Sequence, residues 1–378
     1  MAEPLKNLIS PEVVAQIAHH LQRHSTSFDR QAFEAQASAG LDGLELKARV
    51  MRVAHALVDL LPSDIAQALK LLQASLGPPG KGDELASLRT TDAGLAGWAV
   101  WPLTEAVALL ALPDHPAQGL AALHAMTQRL TAEFAIRPFI VAHPALCFAT
   151  LARWAQDPSA HVRRLVSEGS RPRLPWGLRL KALVVDPSPT LPLLRQLQDD
   201  PSAYVRRSVA NHLNDIAKDH PDVLVAWLAQ HLPKASDERR ALLRHASRGL
   251  IKAGHPAVLA AWGQGRPLDG QARLKLAAKS VLVGESLGLQ LQLRSTAQTA
   301  QHLVVDYAVH HAKAAGHSTA KVFKGWVIDL AAGESRSLAR QHSFRRVTVR
   351  RYHPGPHAID VRINGQVVAH ADFELLPN

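Results

Sequence analysis

Two acids, Glu168 and Asp215, each follow a pair of arginines in nearly identical stretches, Asp157-Pro-Ser-Ala-His-Val-Arg-Arg-Leu-Val and Asp200-Pro-Ser-Ala-Tyr-Val-Arg-Arg-Ser-Val. Residues three, four and seven apart share one face of an α-helix. The first stretch therefore aligns His161, Arg164, Glu168 and Arg171, and the second aligns Tyr204, Arg207, Asn211 and Asp215. Arginine suits a phosphate, and a nearby carboxylate suits a cation that develops during a reaction. A lone i,i+4 ion pair is ordinary surface chemistry, worth about 0.3–0.5 kcal/mol. Its recurrence in register in two copies points to function. Arg163 and Arg206 complete an Arg-Arg pair in each copy, turned off the apolar stripe of Val162 and Val166, or Val205 and Val209.

Between the copies runs Ser167-Glu-Gly-Ser-Arg-Pro-Arg-Leu-Pro-Trp, which adds Arg173 and sets Trp176 in a Pro- and Gly-rich, non-helical context. The usual fate of a tryptophan is a core anchor; beside arginines and an acid, its indole could face a nucleobase or a cation. Glu133 stands four residues from both Arg129 and Arg137, the spacing of a plain surface ladder. Other catalytic templates are missing: the chain has no His-Glu-x-x-His, Cys-x-x-Cys or Gly-x-Ser-x-Gly. Its one cysteine, Cys147, beside Phe148, reads as core; a lone cysteine excludes an internal disulfide and fits a reducing cytoplasm.

The elements that hold these residues follow from spacing. The two copies lie 43 residues apart, the period of HEAT and armadillo helical repeats. Asp caps and Pro opens each helix. A third, decayed copy is Ala241–Leu250, where Arg244 falls 37 residues after Arg207. Upstream, Ser10-Pro11-Glu12 starts a helix, Asp42 and Glu45 form a capping box before Leu46, Val50, Val53 and Leu57, and Asp64 starts the next helix. Pro138 bends or ends its helix. Residues 76–83 only evoke a phosphate-binding loop, because Asp83 stands where Ser or Thr is needed, and they read as a plain surface loop.

Beyond a Gly-rich linker at 263–270 the period falls to two, with strands at 287–293, 303–309, 321–328 and 357–363 and a type I′ hairpin at Asn364-Gly365. The expected architecture is mainly α: a HEAT-like α-solenoid over residues 1–265, then a small all-β immunoglobulin-like sandwich over 272–378. A formal charge of +11 asks for an anionic partner. The segment from Ser335 to Tyr352 concentrates Arg336, Arg340, Arg345, Arg346, Arg350 and Arg351, with Phe344 and Tyr352 interleaved, as a second polyanion contact. No apolar run reaches bilayer length and no secretory h-region opens the chain, so the expected location is the cytoplasm, away from membranes.

Thr131-Ala-Glu-Phe-Ala-Ile-Arg-Pro-Phe-Ile, Val162-Arg-Arg-Leu-Val-Ser-Glu-Gly-Ser-Arg-Pro-Arg-Leu-Pro-Trp and Val205-Arg-Arg-Ser-Val-Ala-Asn-His-Leu-Asn-Asp together resemble the AlkC branch of the HEAT-like-repeat DNA glycosylases, as does the opening Leu5-Lys-Asn-Leu. The resemblance covers nearly the whole chain. It implies excision of cationic N-alkylated bases, 3-methylcytosine and 3-methyladenine, from duplex DNA in the bacterial cytosol, by a monomer without metal or cofactor. It also implies Glu133, Glu168, Trp176 and Asp215 as active-site residues, with Arg164 and Arg207 on the lesion-strand phosphates. Arg163, Arg171, Arg173, Arg206, Asn211, Arg244, Arg345 and Arg346 complete the expected DNA-binding set. Two other classes share the same charge: a non-catalytic HEAT scaffold for nucleic acid or an acidic protein, and an RNA-binding module.

Overall fold

The computed structural model describes residues 5–80, 82–83, 88–264, 266–313, 317–346 and 352–377. Among them, fifteen α-helices precede eight strands. The helices are α1 (Pro11–His24), α2 (Arg30–Ser38), α3 (Leu46–Leu60), α4 (Ile65–Ala74), α5 (Val100–Ala111), α6 (Pro116–Thr127), α7 (Ile136–Ala142) and α8 (Pro144–Trp154). They continue as α9 (Ala160–Gly169), α10 (Lys181–Val185), α11 (Leu191–Leu197), α12 (Ala203–Ile216), α13 (Pro221–His231), α14 (Asp237–Ala253) and α15 (Pro256–Ala261). The strands are β1 (Gly270–Leu276), β2 (Ser280–Leu282), β3 (Ser286–Ser295), β4 (Gln301–Ala312), β5 (Ser318–Leu330), β6 (Ser335–Ser343), β7 (Gly355–Ile363) and β8 (Gln366–Leu376).

The chain divides into two compact units, residues 1–219 with 235–246, and residues 220–234 with 247–378. Helices α13 and α15 thus belong to the same unit as the strands. None of the described helices is long and apolar enough to cross a membrane.

The helical half is a HEAT-like repeat whose helices begin where the backbone can least continue an earlier one. Five of them, α1, α6, α8, α13 and α15, open on a proline at the first position, where no intrahelical N–H bond is lost. Asp64 caps α4 by accepting from Gln67 N at 2.8 Å. The expected Asp42–Glu45 box does not form: Asp42 lies in a 3-10 turn, and Glu45 caps α3 without a side-chain bond. Pro138 lies in the first turn of α7, so it opens that helix rather than ending it. Cys147 is buried as expected, and burial pushes its thiol up to about 12.

In the repeat itself the helix starts two residues later than the Asp-Pro signature suggests. Ser159 and Ser202 are the caps. The aspartates instead close Asx turns, accepting from Ser159 N and Ser202 N at 2.8 and 2.9 Å. Val162, Val166, Val205 and Val209 are fully buried, as the apolar stripe requires. Residues 76–83 are more than a surface loop: Gly77 N donates to Leu95 O, Gly80 N to Gln128 O, and Asp83 accepts from Ser202 Oγ at 2.6 Å. Lys81 lies outside the described residues.

The β half is an immunoglobulin-like sandwich. One sheet orders β1-β3-β6 and the other β2-β8-β7-β4-β5, all antiparallel apart from the parallel β2–β8 pair. Leu287, Leu289, Tyr307, Val309, Phe344, Ile359, Phe373 and Leu375 fill one part of its core. The hairpin between β7 and β8 turns at Asn364 (φ 48°) and Gly365 (φ 83°), both left-handed as a type I′ turn demands. A Cβ at Gly365 would come within 2.5 Å of Gly254 Cα, so this turn also needs glycine for close approach.

Candidate active site

Glu133 lies in the turn before α7, Arg164 and Glu168 on α9, Arg171 just beyond it, and Asp215 on α12. Packing α9 against α12 joins them into one chain of alternating charge. Arg164 Nη1 donates to Glu133 Oε2 at 2.8 Å, and its Nη2 lies 3.7 Å from Glu168 Oε1. Arg171 Nη1 donates to Glu168 Oε1 at 2.5 Å, while its Nε and Nη2 reach Asp215 Oδ2 at 2.9 and 2.8 Å. Lys218 Nζ ends the run on Asp215 Oδ1 at 2.8 Å. Ser208 Oγ donates to Glu168 Oε2 at 2.6 Å, and Thr131 Oγ1 to Glu133 Oε2 at 2.8 Å. Every carboxylate in the run is matched by a cation, which is the condition for burying charge at tolerable cost.

Electrostatics keeps this run ionised. Burial alone would raise the Glu168 carboxyl, but Arg164 and Arg171 hold it below its ordinary value. Burial opposes the charge on Arg164 as well, and Glu133 and Glu168 more than compensate, so its guanidinium is held above its ordinary value. Arg164 also lies 4.8 Å from the centre of the Tyr204 ring. Behind the run sits Arg137, whose side chain is fully buried; it donates to Leu178 O and Gly169 O at 2.5 and 2.8 Å. Burial pulls its guanidinium down to about 10, against the fields of Glu133, Asp215 and Glu168.

Trp176 is not a core anchor. It is 68% exposed and holds a left-handed backbone, φ 63°, which is a genuine strain for an aromatic residue. Lys47 Nζ donates to its carbonyl at 3.2 Å. The following Gly177 packs on Arg137, where a Cβ would meet Nε at 3.2 Å.

The expectation that both arginines of each pair face outward is not met. Arg163 forks onto Asp200 of the next copy, at 2.6 and 3.0 Å, and bonds Asp157 O and Pro158 O. Arg206 bonds Asp200 O and Pro201 O in the same way. Both tie down the turn that begins their own helix. Arg171 is buried, Arg173 forks onto Asp219, and Asn211 accepts from His245 Nε2 at 3.0 Å. Arg244 is half-buried on α14. Of the two register-related arginines, Arg207 alone is exposed with no ion pair among the described residues. Glu133 forms no ladder with Arg129, which bonds Gly77 O and Ala125 O instead.

In the β half, Arg336 pairs with Glu334, and Arg340 bonds Gly325 O beside Trp326. Phe344 is core, and Tyr352 packs against it. Arg345 and Arg346 are exposed, while Arg350 and Arg351 lie outside the described residues. Sequence reasoning missed Thr131, Arg137, Ser208 and Lys218. Ser208 left a trace, because it stands where the first copy has Leu165 in the core.

A helical repeat with a buried acid–guanidinium lattice, followed by an immunoglobulin-like sandwich, defines the class. A family model described as the C-terminal Ig-like domain of uncharacterised protein YhaZ matches residues 271–377. YhaZ of Bacillus subtilis (strain 168) is 35% identical over 381 residues, spanning 98% of this chain and 99% of its own. The solved structure of Pseudomonas fluorescens alkylpurine DNA glycosylase AlkC, bound to DNA containing an abasic site analogue, matches at TM-score 0.88 and 35% identity, over 99% of this chain and 100% of that one. The chain belongs to the AlkC family.

Proposed function

We propose that this protein is a monofunctional DNA glycosylase that releases cationic N-alkylated bases, 3-methyladenine and 3-methylcytosine, from duplex DNA. The observation that carries this is the buried run Glu133–Arg164–Glu168–Arg171–Asp215 beside the exposed, strained Trp176. The full-length likeness to AlkC, whose solved complex holds abasic DNA, supports it.

The chemistry follows from charge. Alkylation at a ring nitrogen makes the base cationic, so its glycosidic bond is weak and the leaving group needs no proton. What remains is to stabilise an oxocarbenium-like sugar and to position water. An ionised carboxylate serves both, and Glu168 is held ionised well below neutral pH. Trp176 offers a π-face to the same electron-poor sugar or base. Arg164 and Arg171 neutralise these acids by ion pairing; a phosphate that engages Arg164 would free Glu133 and Glu168 to face the sugar. Arg207, already exposed, is the first phosphate contact. The β half adds a second contact, which raises affinity through effective concentration rather than chemistry.

The deciding experiment incubates the protein with a duplex carrying one 3-methyladenine or 3-methylcytosine and looks for free base. Release with an intact abasic strand is expected. Borohydride trapping of the protein on DNA would contradict the monofunctional assignment, because it requires an amine nucleophile. Lys218 is the amine to watch, and its Nζ is engaged by Asp215 Oδ1 at 2.8 Å.

A further inference from the structure

We infer that the apolar groove between Trp101 and Trp176 receives the free base after its glycosidic bond has broken, an inference that rests on the glycosylase reading above. The groove has a volume of about 580 Å³. Leu5 and Leu46 line it with the two indoles, and Lys6, Lys47 and Glu45 supply its charged groups. It lies beside the acid run by two routes. Trp101 stacks on Phe134, with ring centroids 5.1 Å apart, and Phe134 directly follows Glu133. Trp176 precedes Gly177, which packs on Arg137, and Arg137 lies in the fields of Glu133, Asp215 and Glu168. The Trp101 ring is fixed from behind, its Nε1 donating to Glu105 Oε1 at 3.1 Å.

The reaction changes the charge of the base. Cleavage leaves the bonding electron pair on the base nitrogen, so a base that was cationic in the nucleotide departs neutral. The sugar carbon takes the oxygen of water, and one water proton goes to solvent. A neutral planar heteroaromatic ring suits an apolar slot flanked by indoles. The lining charges act in the same direction: two ammonium groups face one carboxylate, and Lys6 lies 3.9 Å from Glu45. That surplus of positive charge opposes a base while it is still a cation and admits it once neutral. The ammonium groups also donate to the ring nitrogen that has lost its sugar. The groove therefore biases the base away from the abasic strand after cleavage.

The test uses the full-length protein and free 3-methyladenine. Calorimetry without DNA should show binding, and the same base should inhibit multiple-turnover excision. Leu46→Trp fills the slot and should weaken both effects by about ten-fold or more, while single-turnover excision is retained. Lys6→Glu, at a half-buried position, should weaken binding of the free base and strengthen binding of the cationic nucleoside 3-methylcytidine, which the wild type should bind poorly. Thermal melting of both variants confirms that they fold. If free base neither binds nor inhibits, or binds Leu46→Trp unchanged, the groove is not its site. Equal binding of 3-methylcytidine and free base to the wild type overturns the charge argument. A wild type that binds the base yet excises nothing overturns the glycosylase reading instead, and leaves the groove as a base site.

Discussion

The two repeat copies agree at eight of ten positions and use most of the shared residues alike, yet they contribute different parts of the site. Shared residues build the scaffold: the valines are buried, the aspartates close the turn, and Arg163 and Arg206 clamp that turn through its carbonyls. The two differences are His161 against Tyr204 and Leu165 against Ser208. Tyr204 and Ser208 supply the ring under Arg164 and the hydroxyl on Glu168. Arg164 and Arg207 are identical in sequence and opposite in fate. Arg164 meets Glu133 from the preceding turn and Tyr204 from the following copy, whereas Arg207 stays exposed. Repetition here reports architecture, and departure from repetition reports chemistry.

The comparison breaks first at the clamp. Asp200 is 6% exposed and takes the Arg163 fork, so Asp200→Ala leaves a half-buried guanidinium with only its two carbonyl bonds and should cost about 2–4 kcal/mol. Arg206 loses only bonds to two carbonyls, and Arg206→Ala should cost about 1–2 kcal/mol. Urea denaturation measures both. Equal losses would mean that the fork between copies adds nothing to the turn clamp.

Next is the acid that only the first copy places on the arginine pair. Glu168→Gln keeps an acceptor for Ser208 and removes the charge, and it should slow base excision by about 10²–10³-fold with DNA affinity equal or higher. A carboxylate near phosphates opposes binding but stabilises the sugar cation in the transition state. Asp215→Asn should act in the same sense. Wild-type rates in both variants would return the chain to the scaffold reading.

Much of this is legible in the sequence, and the failures share one cause. Helical period, proline starts and the Asn364-Gly365 turn are local signals, and each marked its element. The acids Glu133, Glu168 and Asp215 were also found, and so were the Glu168 partners Arg164 and Arg171, but the partners of Glu133 and Asp215 were not. Glu133 takes Arg164 rather than Arg137, because the pair joins the turn before α7 to α9, a contact between elements that i,i+4 spacing does not encode. For the same reason, charge alone could not separate a clamped arginine from an open one. Arg163, Arg171 and Arg173 all find acids 37–46 residues away.

A smaller effect distinguishes the buried histidine of the second copy. His212 donates its Nδ1–H to Ser167 O at 2.9 Å, and burial pulls its imidazole down to about 4 from 6.5. The unfolded chain therefore binds a proton that the folded chain refuses. The stability that follows is complete above pH 6.5 and falls as the pH drops toward 4, by on the order of 3 kcal/mol. His212→Gln should flatten the fall in stability between pH 6.5 and 4 by about one proton's worth of slope, as read from urea midpoints at several pH values. An unchanged slope would show that other groups account for acid lability.

The weakest effects belong to exposed cations, where the β half sharpens the contrast. On the outer face of the β1-β3-β6 sheet, Arg273 stands opposite Gln292, Lys275 opposite Gln290, and Arg294 opposite both Gln271 and Ser335. All three cations are exposed, and no carboxylate points outward from the described residues of these strands. The face is better suited to a phosphate backbone than Arg336 and Arg340, which are engaged by Glu334 and by Gly325 O. Arg207→Ala should weaken binding to every duplex alike and lower the salt slope by about one unit. Arg273→Ala, Lys275→Ala and Arg294→Ala should each give a drop of similar or smaller size. Substitution is the cleaner probe here than removing residues 272–378, since α13 and α15 share a compact unit with the strands. A sequence-selective loss at Arg207 would mean that it reads base edges. A salt slope unmoved by all three sheet variants would make that face a solvated surface and turn the search to Arg345 and Arg346, which are also exposed.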